Sequence, residues 1–248
     1  MPLHPRLPWL EESDAFPVVE RAWSANTEAP GLLAAGGQLS VPNLLAAYSN
    51  GIFPWYSEGQ PTLWWSPDPR MVLQTGQFRL HRSLKRTIKK FQASTGCEIR
   101  FDSAFNQVIS NCALASRRGQ NGTWILPEMV DAYQTLHMHG YAHSVETWIE
   151  GQLAGGLYCV AIGQAVFGES MFAHRNDASK MALAALVGFC LQNGVESIDC
   201  QQNTGHLASL GAAEIPRSQF VAKVQEATRH PALEWKFDAL YWQHILDT

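Results

Sequence analysis

Asp199 and Gln201 stand two residues apart at the close of a strand-like run, Glu196 to Cys200, and a period of two puts their side chains on one face. There the aspartate can hold the glutamine amide in one orientation. A glutamine so held can accept a hydrogen bond but cannot store the proton, because it has no titratable base near neutral pH. Without further context the favoured reading of the pair is an ordinary buried polar pair closing a core strand. His137, His139 and His143 are of a metal-ligating type, but helical residues two apart do not share a face, so no metal site is expected from them.

A second group of residues has the chemistry of a polyanion contact. Between Asp68 and Glu98 there is no acid, while Arg70, Arg79, Arg82, Lys85, Arg86, Lys89 and Lys90 supply seven bases to a chain whose net charge is -4. Leu84, Ile88 and Phe91 recur at helical spacing among them, so the segment reads as an amphipathic helix carrying a positive ridge. Such a run is either a solvated helix face or a contact with phosphates whose strength falls as salt rises. Trp55, Trp124 and Tyr133 are aromatics of the kind that stack on a base, a contact worth about 1–3 kcal/mol. Trp64, Trp65 and Trp148 are read as core or as packing between domains.

The elements that must position these residues are legible in outline. Turn formers crowd the first seventy residues, and Ser66-Pro67-Asp68-Pro69 divides a small irregular N-terminal domain, 1–68, from a larger domain, 69–248. Within the first, a short helix is expected from the Ser40 cap to Asn50-Gly51. In the second, a helix over Pro127 to His139 precedes three strands, Ala142 to Trp148, Leu153 to Ile162 and Ala165 to Phe172. Asn176-Asp177 caps an apolar helix, Ala178 to Gln192, and a strand returns after it. This is an α+β fold with a mixed, mostly antiparallel sheet. Its order resembles the core of the GNAT acyltransferases.

With 46% hydrophobic and 16% charged residues, the composition is that of a folded protein. Met181 to Leu191 is too short to cross a bilayer, and no signal-like apolar run follows Met1. Five widely spaced cysteines without a Cys-x-x-Cys pair suit reduced thiols, and a cytoplasmic location is expected.

Several rare blocks stand in order along the chain: Gly31-Leu32-Leu33-Ala34 with Gly36-Gly37, Gly51-Ile52-Phe53-Pro54-Trp55-Tyr56, and Leu63-Trp64-Trp65-Ser66-Pro67-Asp68-Pro69-Arg70. They continue with Gly122-Thr123-Trp124-Ile125, His143-Ser144-Val145-Glu146, Gly168-Glu169-Ser170-Met171-Phe172, and Ala178-Ser179-Lys180. Ile198-Asp199-Cys200-Gln201, Ala208-Ser209-Leu210-Gly211-Ala212 and Ile215-Pro216-Arg217 complete the set. From Gly31 to Phe220 the sequence closely resembles the leucyl/phenylalanyl-tRNA–protein transferase family of bacteria. It departs from that pattern at Val166, where an aromatic is usual, at Cys159, at Ala173-His174 and at Gly205.

The resemblance implies transfer of leucine or phenylalanine, with methionine a further donor, from aminoacyl-tRNA to proteins beginning with Arg or Lys. It implies a link to N-end-rule degradation, and no cofactor or metal. Because the ester is already activated, orientation is the main requirement and is worth roughly 7–11 kcal/mol of barrier. Asp199 and Gln201 then become central, with Gln201 accepting a hydrogen bond from the incoming α-amine. Glu169, expected at a strand end, would bond the adenosine or the amine, and Trp55, Trp124 and Tyr133 would lie against the terminal adenosine. Leu157, Val166, Met171 and Phe172 are expected to line an apolar cleft for the aminoacyl side chain. Arg79, Arg82, Lys85, Arg86, Lys89 and Lys90 would hold the acceptor stem by its phosphates.

Three rival readings are a coenzyme A-dependent N-acetyltransferase, an enzyme adding tRNA-borne amino acids to cell-wall peptides, and a noncatalytic RNA-binding module. The first is disfavoured by Ala173-His174-Arg175-Asn176-Asp177, which has no glycine where pyrophosphate would need a Gly-rich turn.

Overall fold

The computed structural model describes residues 6–12, 14–115 and 125–246. The chain begins with β1 (Trp9–Leu10), β2 (Leu32–Gly36), α1 (Val41–Ser49), β3 (Phe53–Pro54) and β4 (Leu63–Trp65), whose strands form one sheet in the order β1-β2-β4-β3. Next come β5 (Arg70–Gln74), α2 (Arg82–Ala93), β6 (Cys97–Phe101), α3 (Phe105–Leu114) and α4 (Pro127–Met138). A meander of β7 (Ala142–Ile149), β8 (Gln152–Ile162) and β9 (Ala165–Ala173) leads into α5 (Ala178–Gln192) and the returning β10 (Ser197–Gln201). The chain continues through α6 (Gly205–Ser209), β11 (Ala213–Ile215), α7 (Arg217–Ala227) and α8 (Gln243–Leu246).

The larger sheet runs β11-β5-β10-β9-β8-β7-β6. All its pairings are antiparallel except β9 with β10, which are parallel because α5 carries the chain back across the sheet. The fold is therefore α+β with a mostly antiparallel sheet. None of the helices among the described residues is long and apolar enough to cross a membrane.

Helix α5 is apolar on nearly every side because it is covered on nearly every side. The sheet lies beneath it, and α2, α8 and the C-terminal segment flank it. Its close approach to the sheet depends on Gly155, where a Cβ would lie 2.6 Å from the Ala178 Cβ. Asp177 does not cap this helix as expected: it adopts a left-handed backbone, and its carboxylate instead takes a hydrogen bond from Lys180 Nζ at 2.8 Å. Helix α2 begins at Arg82, so Arg79 lies in the preceding connection, where its backbone N–H bonds the Leu210 carbonyl.

Ser66-Pro67-Asp68-Pro69, with a cis Asp68–Pro69 peptide, joins β4 of the small sheet to β5 of the large one. The two sheets share one apolar core: Leu33, Tyr48 and Trp64 belong to the same buried cluster as Val108, Tyr133 and Phe167. A second cluster, between the large sheet and α2, α5 and α8, fills the opposite side.

Candidate active site

Glu169 sits in the middle of β9, not at a strand end. Tyr158 of β8 pairs with Ser170 and Cys159 with Gly168, so Glu169 is the extra residue of a β-bulge. The bulge turns its carboxylate toward α1 and α4. Tyr48 of α1 donates to Oε1 at 2.7 Å and Tyr133 of α4 lies 3.3 Å from Oε2, while the two phenol oxygens are 2.5 Å apart. Burial, which disfavours charge, raises the Glu169 pKa to about 8; Asp199 adds to the rise, and the hydrogen bonds from Tyr48 and Tyr133 oppose it. Both tyrosines are pushed well above their ordinary range, first by burial and then by the Glu169 carboxylate, so they are donors throughout the physiological range.

Gln201 reaches the same carboxylate from β10. Its Nε2 donates to Glu169 Oε1 at 2.9 Å, which leaves the amide oxygen as the acceptor offered by that side chain. The partner that orients the amide is thus Glu169 and not Asp199. Asp199 holds Gln201 by the backbone, accepting its N–H at 2.9 Å, because a register shift between these residues and a left-handed φ of 60° at Gln201 break the simple two-residue alternation.

The Asp199 carboxylate is itself held by Arg70, whose Nε and Nη2 donate to its two oxygens at 2.8 and 2.6 Å. Both side chains are essentially inaccessible, so each charge depends on the other. Arg70 therefore does not belong with the positive ridge.

The other expected residues are placed as follows. Tyr133 has a fully buried ring, packed edge-on against Tyr158, so it presents its hydroxyl to the carboxylate and not its face to a base. Trp55 is half-buried beside Trp65, whose Nε1 donates to the Trp55 carbonyl at 2.6 Å. Trp124 lies outside the described residues. Leu157, Val166 and Met171 face the α5 side, but Phe172 packs in the opposite cluster, because neighbouring strand residues point to opposite faces. The four do not line a single cleft: Val166 borders a cavity of about 300 Å³, and Met171 and Phe172 border another of about 470 Å³.

Arg82, Arg86, Lys89 and Lys90 are exposed on α2, Lys85 is half-buried, and Arg79 is exposed ahead of the helix. Leu84, Ile88 and Phe91 face inward, as expected. The histidines are engaged separately. His143 Nδ1 lies 2.7 Å from an Asp102 oxygen with its ring stacked on Trp235, and the His137 and His139 rings bond the Ala142 and Thr135 carbonyls.

Two family models match this chain: one described as leucyl/phenylalanyl-tRNA protein transferase over residues 72–225, the other as the N-terminal domain of that transferase over 37–68. The chain belongs to the leucyl/phenylalanyl-tRNA protein transferase family. Relatives bearing that name include one from Albidiferax ferrireducens, 61% identical, with 98% of this chain and 95% of the relative covered. One from a Polaromonas species is 60% identical with 97% and 94% covered, and one from Leptothrix cholodnii is 56% identical with 97% and 96% covered.

Within the family framework, two residues of the site escape a reading of the sequence. Tyr48 reads as part of the apolar stripe of α1 with Leu44 and Leu45, and its hydroxyl gives no separate signal. Arg70 counts there only as one base in a basic stretch. Its position ahead of Met71-Val72-Leu73 is the available clue, because a base opening a buried apolar strand needs a buried acid.

Proposed function

We propose that this chain moves leucine or phenylalanine, and also methionine, from aminoacyl-tRNA to the N-terminal Arg or Lys of acceptor proteins. The single observation that supports this reading within the family is the Glu169–Gln201 contact, which commits the amide nitrogen and leaves the amide oxygen as the acceptor for an incoming amine. The amine nitrogen bonds to the ester carbonyl carbon, and the bond to the ribose oxygen breaks. Glu169, with a pKa of about 8, is matched to an α-amine near 7.7–8.0. It takes the amine's proton and releases it to the leaving ribose oxygen. Asp199 and Arg70 fix the backbone, and Tyr48 and Tyr133 fix the carboxylate.

Trp55 and Trp124 hold the terminal adenosine by stacking, and Leu157, Val166 and Met171 meet the aminoacyl side chain from the α5 side. Arg79, Arg82, Lys85, Arg86, Lys89 and Lys90 contact tRNA phosphates. Residues 69–248 act as the catalytic domain and 1–68 as a smaller domain packed on it. The enzyme works in the cytoplasm, and its products enter N-end-rule degradation.

The test is to incubate the purified protein with radiolabelled leucyl- or phenylalanyl-tRNA and a peptide beginning with Arg, omitting ATP, metal and coenzyme A. Label in Arg- or Lys-led peptides and in no others is the expected result. No transfer, with acetyl-CoA used instead, would overturn it in favour of an acetyltransferase.

A further inference from the structure

We propose that Arg70 is a positioning residue for aminoacyl transfer, acting through Asp199 to hold Gln201 where its amide meets Glu169. The inference rests on the transferase reading and assigns a task to a residue that touches no reacting atom.

Arg70 opens β5 and is completely buried. Its guanidinium packs over two rings, 4.7 Å from the Phe53 centroid and 4.6 Å from that of Phe220, so packing restrains its plane. All three guanidinium nitrogens are committed. Nη1 donates to the Gly51 carbonyl at 3.2 Å, and Nε and Nη2 take the two Asp199 oxygens. Gly51 can approach this closely only because it lacks a side chain: its φ is +71°, and a Cβ would lie 3.0 Å from Val221 and 3.1 Å from Phe220.

The aspartate has one further task. The Oδ1 that receives Arg70 Nε also receives the Gln201 N–H. Gln201 has a left-handed backbone, which a residue with a Cβ adopts only when its surroundings enforce it. The bond from its N–H to Asp199 is one of the restraints visible here, beside the Gln202 N–H that donates to the Cys200 carbonyl at 2.7 Å, and it fails if the carboxylate turns away. A buried carboxylate with no cation would turn toward water or take up a proton. A lysine at position 70 would supply one ammonium where three directed donors are needed.

The experiment compares the full-length wild type with Arg70→Lys. The first readout is hydrogen exchange at the Gln201 N–H. It is expected to speed up by about tenfold or more, while β8 amides exchange as before, because local opening is separable from global unfolding. The second is leucine transfer to an Arg-led peptide. Here kcat is expected to fall about tenfold to a hundredfold with KM for leucyl-tRNA little changed, as for a misplaced catalytic group. In a Gln201→Ala background the same change should alter kcat by less than about twofold, because two residues acting through one contact are non-additive.

Unchanged exchange at Gln201, or losses that multiply across the two backgrounds, would overturn the proposal. Should Arg70→Lys fail to fold, Phe220→Leu, which keeps the guanidinium but removes one wall of its clamp, is taken through the same measurements with the same expected directions. Absence of transfer by the wild type would refute the transferase reading alone. The exchange result would still decide whether Arg70 holds Gln201.

Discussion

In the proposed mechanism Gln201 and Glu169 divide a task that neither can do separately. The glutamine has an acceptor but no titratable proton, and the carboxyl has a titratable proton but is ringed by donors from Tyr48, Tyr133 and Gln201. Gln201→Ala should therefore lower kcat by about a hundredfold and leave tRNA affinity nearly intact, since orientation and not binding is lost. Single-turnover transfer beside a tRNA-binding titration checks this, and undiminished turnover would remove Gln201 from the mechanism. The acid dependence has a definite sign. In the proposed mechanism the reactive form of Glu169 is the ionised one, and burial raises its pKa to about 8, so rate should rise as pH climbs through that value. The acceptor amine, titrating near 7.7–8.0, must also lose its proton. Below pH 7 the logarithm of the rate should thus climb with a slope of about two for the wild type and about one for Glu169→Gln. Tyr48→Phe removes a hydrogen bond that lowers the Glu169 pKa, so the enzyme's part of the profile should move to higher pH. An unchanged slope in Glu169→Gln would exclude the carboxylate from the proton path.

Elements with strong periodicity were legible in the sequence, and departures from periodicity were not. The stripe Leu84, Ile88 and Phe91 marks α2, the alternation and turns mark the β7–β9 meander, and the uniformly apolar run marks α5. The bulge that aims Glu169 has no such mark, because one extra residue in a strand depends on the partner strand's register. The same holds for Gln201, where strict alternation would give an Asp199-to-amide contact that the register shift replaces with an Asp199-to-backbone one. The Arg70–Asp199 pair spans 129 positions and could not be read from local pattern. What locks α5 over this arrangement is small and testable. Gly155→Ala places a methyl 2.6 Å from the Ala178 Cβ and 3.0 Å from the Phe172 carbonyl and Ser179 nitrogen, contacts with backbone that cannot simply swing aside. Overpacking of this kind costs about 1–3 kcal/mol. Gly76→Ala, where a Cβ meets nothing within 4 Å, should stay within about 0.5 kcal/mol. Urea denaturation midpoints decide between them, and equal midpoints would show that α5 can yield.

Across the whole molecule, charge is arranged unevenly about the large sheet. The Glu169 centre belongs to the side where α1 and α4 pack, whereas α2 covers the other side with its apolar stripe in the second core cluster. Contacts on α2 can therefore fix where a polyanion binds without entering the chemistry. Arg82, Arg86, Lys89 and Lys90 are exposed, and among the described residues they form no ion pair, so their charge is open to a phosphate. The net charge of -4 makes this concentration of bases more consequential, since the rest of the chain is net acidic. Replacing Arg86 and Lys89 together by glutamate should weaken tRNA binding and flatten its salt dependence. Each lost phosphate contact reduces the slope of log affinity against log salt by about 0.7–0.9, so the pair should reduce it by about 1.4–1.8. Leucyl- and phenylalanyl-tRNA should be affected alike, because phosphate contacts carry no base sequence. Fluorescence anisotropy at several salt concentrations provides the measurement. A wild-type slope in the doubly substituted protein would make α2 an ordinary solvated helix and move the tRNA contact to another surface.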